Sequence, residues 1–214
     1  MSDSGATIYP QESLQTYLDD AASGKPAPGG GSVSACVGAL GAALVAMVCN
    51  LTLGKEKFAD VEERIGDLVT EADSIRARLE KLLQDDTVAY NGVIAAYRMP
   101  KETDDEKAAR HAAIQKGLIV AANVPLEICR AAVLVGRVSK VAAEIGNPGA
   151  VTDAGIGAIL ADAAAQGGAM NVAINLGSIE DEKYVESARA ELDEILEETA
   201  GLRTEVVRIT YDKL

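Results

Sequence analysis

Two aspartates are the residues best suited to moving protons, because the chain surrounds them so differently. From Phe58 apolar residues recur at Val61, Ile65, Leu68, Ala72, Ile75, Leu79 and Leu82, and the same steps of three and four resume through Ala89, Val93 and Ala96. The position between Leu82 and Ala89 is filled by Asp86, a carboxylate on a seam that otherwise faces a core. Desolvation there raises a carboxyl's pKa and suits a general acid; the alternative is an acid at the bundle rim or paired with a buried base. Its neighbour Asp85 falls off the seam, toward solvent. Asp153, in "NPGAVTDAG", stands at the start of a helix, where the macrodipole favours negative charge and where a plain N-cap is the competing role. Two carboxylates in contrasting environments can give one site both an acid and a base.

Other groups carry weaker chemical meaning. Asn171 and Asn175 are four apart and share a helix face, so their amides can read a flat heterocycle or merely serve backbone capping. Lys55 follows Gly54 as a local positive charge, and Arg98 with Lys101 flanks Pro100 as another. Gly29, Gly30, Gly31 and Ser32 lie in "PAPGGGS" before an apolar run, where open backbone N–H groups can meet an anion or simply turn the chain, with Ser32 as N-cap. The loop lacks the Gly-Lys-Ser/Thr ending of a nucleotide-phosphate loop and follows no strand. His111, the single histidine, sits in polar "KAARHAAIQK" and offers no Ser-His-Asp or histidine-metal arrangement. Cys36, Cys49 and Cys129 show no metal-ligand spacing, so reduced thiols and no metal site are expected. Methionines and tyrosines read as core filling.

The elements that position these groups are helices. Six are expected, with no convincing strand: Gln11 to Ser23; Ser32 to Leu53; the long segment from Phe58 to Pro100, ~60 Å at 1.5 Å per residue; Thr103 to Ile145 with a kink at Pro125; a small-residue helix to Gln166 interrupted by Gly167 and Gly168; and a last amphipathic stretch through Tyr184, Leu192, Ile195, Leu202 and Val206. The implied architecture is an all-α, multihelical up-and-down bundle or array around a buried, small-residue central helix, in one domain over residues 1–214.

Composition narrows the function classes. A formal charge of −13, from 33 acidic and 20 basic residues, argues against a nucleic-acid partner. Val33 to Leu53 is long enough to span a bilayer, but it lacks aromatic belts and the other helices are amphipathic, so a buried helix and no membrane are expected. The N-terminus has neither a basic region nor an apolar one, and a cytoplasmic protein is the expectation.

Five blocks, in order, carry a resemblance: "PAPGGGSVSACVGALGAALVAMVCNLTLGK", "YRMPKET", "VPLEI", "GNPGAVTDAG" and "NVAINLGSI". With them the chain resembles the cyclodeaminase/cyclohydrolase family, which comprises the C-terminal domain of formiminotransferase-cyclodeaminase and stand-alone methenyltetrahydrofolate cyclohydrolases. The resemblance implies an all-α homodimer acting on tetrahydrofolate one-carbon derivatives, with no redox cofactor or metal. It also implies closing or opening of the N5–C–N10 bridge, either by ammonia release from 5-formimino-tetrahydrofolate or by water addition to the methenyl bridge. On this footing Asp153 is the first choice for base or cation stabiliser and Asp86 for proton donor. Lys55 polarises a reacting atom or meets the folate's glutamate, and Asn147, Asn171 and Asn175 bind pterin or orient water. The glycine loop becomes a wall of the folate site. With no transferase region present, a cyclohydrolase is expected first; a cyclodeaminase served by a separate formiminotransferase comes second, and a non-catalytic folate-binding or helical interaction protein third.

Overall fold

A computed structural model describes residues 7–214. After a 3-10 turn at Tyr9–Gln11, six α-helices follow: α1 (Leu14–Ala22), α2 (Gly30–Asn50), α3 (Glu62–Tyr97), α4 (Asp104–Ile145), α5 (Val151–Leu176) and α6 (Glu182–Asp212). No strand occurs among the described residues. Residues 58–61, expected as the start of the long helix, belong instead to a separate 3-10 helix over Glu56–Val61, so α3 has 36 residues and spans about 54 Å.

From α2 onward, helices consecutive in the chain run antiparallel, as do α2 and α5. Gly38 of α2 faces Leu79 of α3 and Ala164 of α5; Val93 of α3 meets Gly117 of α4; Gly155 and Asp162 of α5 meet Thr210 and Arg203 of α6. α4 lies behind and packs on α2, α3, α5 and α6. Its start is fixed by a capping box, in which Thr103 accepts from the Glu106 N–H and Glu106 accepts from the Thr103 N–H. The helix continues through Pro125.

α2 is apolar without a single charge, and its small residues let three helices approach. Residues 31, 35, 42, 46 and 49 turn toward the core, and 34, 38, 41 and 45 turn toward α5 or its neighbours. Both α2 and α4 are long and apolar enough to cross a membrane by length and composition, and here 56% and 61% of their apolar windows are buried against other helices.

The structure corrects four expected details. α2 begins at Gly30 with Gly29 as its N-cap, so Ser32 caps nothing and is fully buried inside the first turn. It ends at Asn50, three residues early, with Gly54 at φ 70° closing the turn beyond. Gly167 and Gly168 do not interrupt α5. They sit where a side chain has no room: a Cβ on Gly167 would strike the Ser34 hydroxyl, and one on Gly168 would lie 2.6 Å from Cys129 Sγ and 3.1 Å from the Pro125 carbonyl. Finally, Asp153 does not cap α5, whose N-cap is Ala150 without a side-chain bond.

Candidate active site

Asp86 is held at the glycine loop. Its helix packs against the start of α2 so closely that a Cβ on Gly31 would lie 2.6 Å from the Asp86 Cγ. Only glycine leaves space for the carboxylate there. The Ser32 N–H, one of the free amides of the first helical turn, donates to Asp86 Oδ2 at 2.9 Å. Burial pushes the Asp86 carboxyl above the usual carboxylate range, and the Ser32 hydrogen bond pulls it back in part. Beneath the loop, the Ser32 and Tyr17 hydroxyls share a 3.0 Å hydrogen bond, and burial drives the Tyr17 phenol up to about 12.

A cavity of about 290 Å³ opens beside this carboxylate, lined by Gly29, Gly30, Asp86, Tyr90, Asn171 and Asn175, with Pro26, Ala27, Val93, Ala121 and Ile174 completing its wall. The Asn171 amide nitrogen donates to the Gly167 carbonyl at 2.8 Å, and that of Asn175 donates to the carbonyls of Asn171 and Ala121 at 2.8 and 3.0 Å. Both side-chain oxygens are left without a protein donor among the described residues. The site therefore presents acceptors, one desolvated acid and an aromatic face, and no Lys, Arg or His lines it. Such a lining selects a ligand rich in N–H donors or carrying delocalised positive charge.

A larger groove of about 690 Å³ runs between α3 and α4, lined by Val88, Gly92, Met99, Gly117 and Val120 with Asp85 and Lys116 at its edges. Its walls are almost wholly apolar, and none of the converging amides or Asp86 reaches it.

Of the residues expected to form one site, the structure brings together Gly29, Gly30, Gly31, Ser32, Asp86, Asn171 and Asn175. Four lie elsewhere in the chain. Asp153 is on the same azimuth of α5 as Asn171 but five turns away, about 27 Å along the helix. Asn147 is spent on structure at that far end: its side chain accepts from Gly149 N–H and donates to the Leu51 carbonyl, and its backbone N–H donates to Thr52 Oγ1. Lys55 is exposed beyond the C-terminal end of α2, again opposite the cavity. Arg98 is an exposed C-cap of α3, about 18 Å along that helix from Asp86. Tyr17, read from the sequence as core, is buried there and also props Ser32, whereas Tyr90, read the same way, is exposed and forms a cavity wall. Tyr90 stands four residues after Asp86, the spacing that puts both on one helix face.

The geometry can be compared with known proteins. The formiminotransferase-cyclodeaminase family model matches residues 13–194. A methenyltetrahydrofolate cyclohydrolase of Methylorubrum extorquens is 39% identical over 95% of this chain and 98% of its own length. The formimidoyltransferase-cyclodeaminase of Rattus norvegicus is 31% identical over 87% of this chain, which spans only 34% of that longer protein. The crystal structure of formiminotetrahydrofolate cyclodeaminase from Thermotoga maritima superposes with a TM-score of 0.86 at 31% identity, covering 95% of this chain and 98% of its own. This chain belongs to the formiminotransferase-cyclodeaminase family.

Proposed function

We propose that this family member is an enzyme of folate one-carbon chemistry that adds water to the bridge of 5,10-methenyltetrahydrofolate. The observation that carries the reading is the cavity around Asp86, which no Lys, Arg or His lines and where the Asn171 and Asn175 side-chain oxygens are free to accept. The methenyl bridge is a cationic amidinium, and pterin offers ring N–H and amino donors to the free Asn171 and Asn175 oxygens. Water attacks the bridge carbon, giving up a proton as the new C–O bond forms. The hydroxyl so formed loses its proton as the C=O bond closes, the C–N5 bond breaks and N5 takes a proton, leaving the 10-formyl product with one proton released overall. Asp86 serves these transfers: as a carboxylate it accepts from water and balances the cation, and as the acid it returns a proton to nitrogen. The reaction requires neither a redox cofactor nor a resident metal. The protein is proposed to work as a cytoplasmic homodimer, without membrane or nucleic acid.

The Thermotoga neighbour, a chain of similar length named for the other reaction, supports a second reading, ammonia-releasing ring closure of 5-formimino-tetrahydrofolate supplied by a separate formiminotransferase. Methenyl absorbance distinguishes them. Purified protein should bleach 5,10-methenyltetrahydrofolate faster than buffer does, and Asp86→Asn should not. Rapid appearance of methenyl absorbance with ammonia from the formimino substrate, without hydrolysis of the methenyl compound, gives the chain the second activity; no turnover of either rejects both.

A further inference from the structure

Pro125 stands inside α4, fully buried, and has no N–H to give the carbonyl one turn before it. That carbonyl belongs to Ala121, a buried residue on the wall of the cavity. In an unbroken helix it would accept from residue 125, and a buried carbonyl left without a donor is costly. Here the donor comes from another helix: Asn175 Nδ2 of α5 lies 3.0 Å from the Ala121 oxygen.

The seam is pinned on both sides of the proline. One turn before Pro125, α5 donates to α4 through Asn175; one turn after it, α4 donates to α5 through Cys129 Sγ, 3.3 Å from the Ala165 carbonyl. Between the two bonds Gly168 lets the helices approach until a Cβ there would lie 3.1 Å from the Pro125 carbonyl. This closeness brings the Asn175 side chain within reach of the α4 backbone.

The consequence falls on the other end of the amide. An asparagine amide can be set either way round, and its neighbours decide which. The Asn175 nitrogen carries two N–H groups, and two carbonyls take them, Asn171 at 2.8 Å and Ala121 at 3.0 Å. Reversal would set the side-chain oxygen against both carbonyl oxygens. Were Ala121 satisfied from within α4, half of that constraint would be gone.

We propose that Pro125 is a positioning residue for the cavity: by withholding an N–H from Ala121 it reserves that carbonyl for Asn175, and so holds the Asn175 oxygen toward the ligand as an acceptor. The cavity then selects a group that donates at this point and rejects one that accepts. Pro125 itself does not line the cavity and acts only through Asn175. The identity of the ligand rests on the folate reading above, but the coupling of Pro125 to Asn175 does not.

Two double-mutant cycles keep these apart. Wild type, Asn175→Ala, Pro125→Ala and the double variant are first compared in urea. With the proline in place, Asn175→Ala orphans the Ala121 carbonyl; in the Pro125→Ala background the restored N–H takes it. The midpoint loss caused by Asn175→Ala should therefore fall to half or less in that background, and equal losses overturn the proposal whatever the activity. Should Pro125→Ala fail to fold, Pro125→Val returns the N–H while keeping more of the buried volume. KM for 5,10-methenyltetrahydrofolate is then measured on the same chains. Pro125→Ala alone should raise KM about 3- to 10-fold with kcat within about twofold, and should add nothing to the KM of Asn175→Ala. Independent, multiplying effects on KM, or a fall in kcat at unchanged KM, belong to a merely structural proline and overturn the positioning role. An inactive wild type rejects the folate reading and leaves the urea cycle to decide the positioning alone.

Discussion

Asp86 carries a cost in stability that its function explains. Its folded carboxyl lies above the ordinary 3.8, so over the interval between the unfolded and folded pKa values the native chain holds a proton that the unfolded chain has released. Stability is therefore lost as pH rises through that interval and recovered below it. Asp86→Asn keeps an oxygen to accept from the Ser32 N–H but cannot ionise. Its urea midpoint relative to wild type should climb as pH rises from about 4 toward neutrality and then level off, while turnover falls on the order of 10²-fold or more. Gly31→Ala tests the same contact from the other side. The added methyl has to displace the Asp86 carboxyl group and should cost about 1–3 kcal/mol together with most of the activity. Tyr90→Ala should raise KM more than it lowers kcat, as expected for a wall that binds rather than reacts.

Among the elements, six helices were legible because their apolar residues recur at helical spacing, and Asp86 was legible as the one break in the α3 pattern. The run across Gly167 and Gly168 was misread as an interruption because propensity counts only the local chain, whereas these glycines answer to α2 and α4. Gly168→Ala should accordingly be destabilised by about 1–3 kcal/mol, despite alanine's better helix propensity, and a shifted urea midpoint at unchanged slope would show it. Ser32 deceived for a related reason. It resembles an N-cap, yet the helix starts two residues earlier, and its backbone N–H serves Asp86 instead. The separation of Asp153 from the cavity was illegible altogether: only the unbroken length of α5 reveals the five turns between it and Asn171.

At the scale of the whole molecule, charge is unevenly spread: the chain has a net charge of −13, yet α2 carries no charged residue. The same lack of charge in α2 has a consequence during synthesis. This segment leaves the ribosome early, but α5, the helix that covers its other flank, begins about a hundred residues later. At roughly 5–20 residues per second that is an interval of about 5–20 s in which a 21-residue apolar helix lacks its full complement of partners and looks to the cell like an insertion signal. A chain truncated before Val151 should be recovered chaperone-bound or aggregated, and the speed at which α3 and α4 close over α2 decides how much protein survives its own birth.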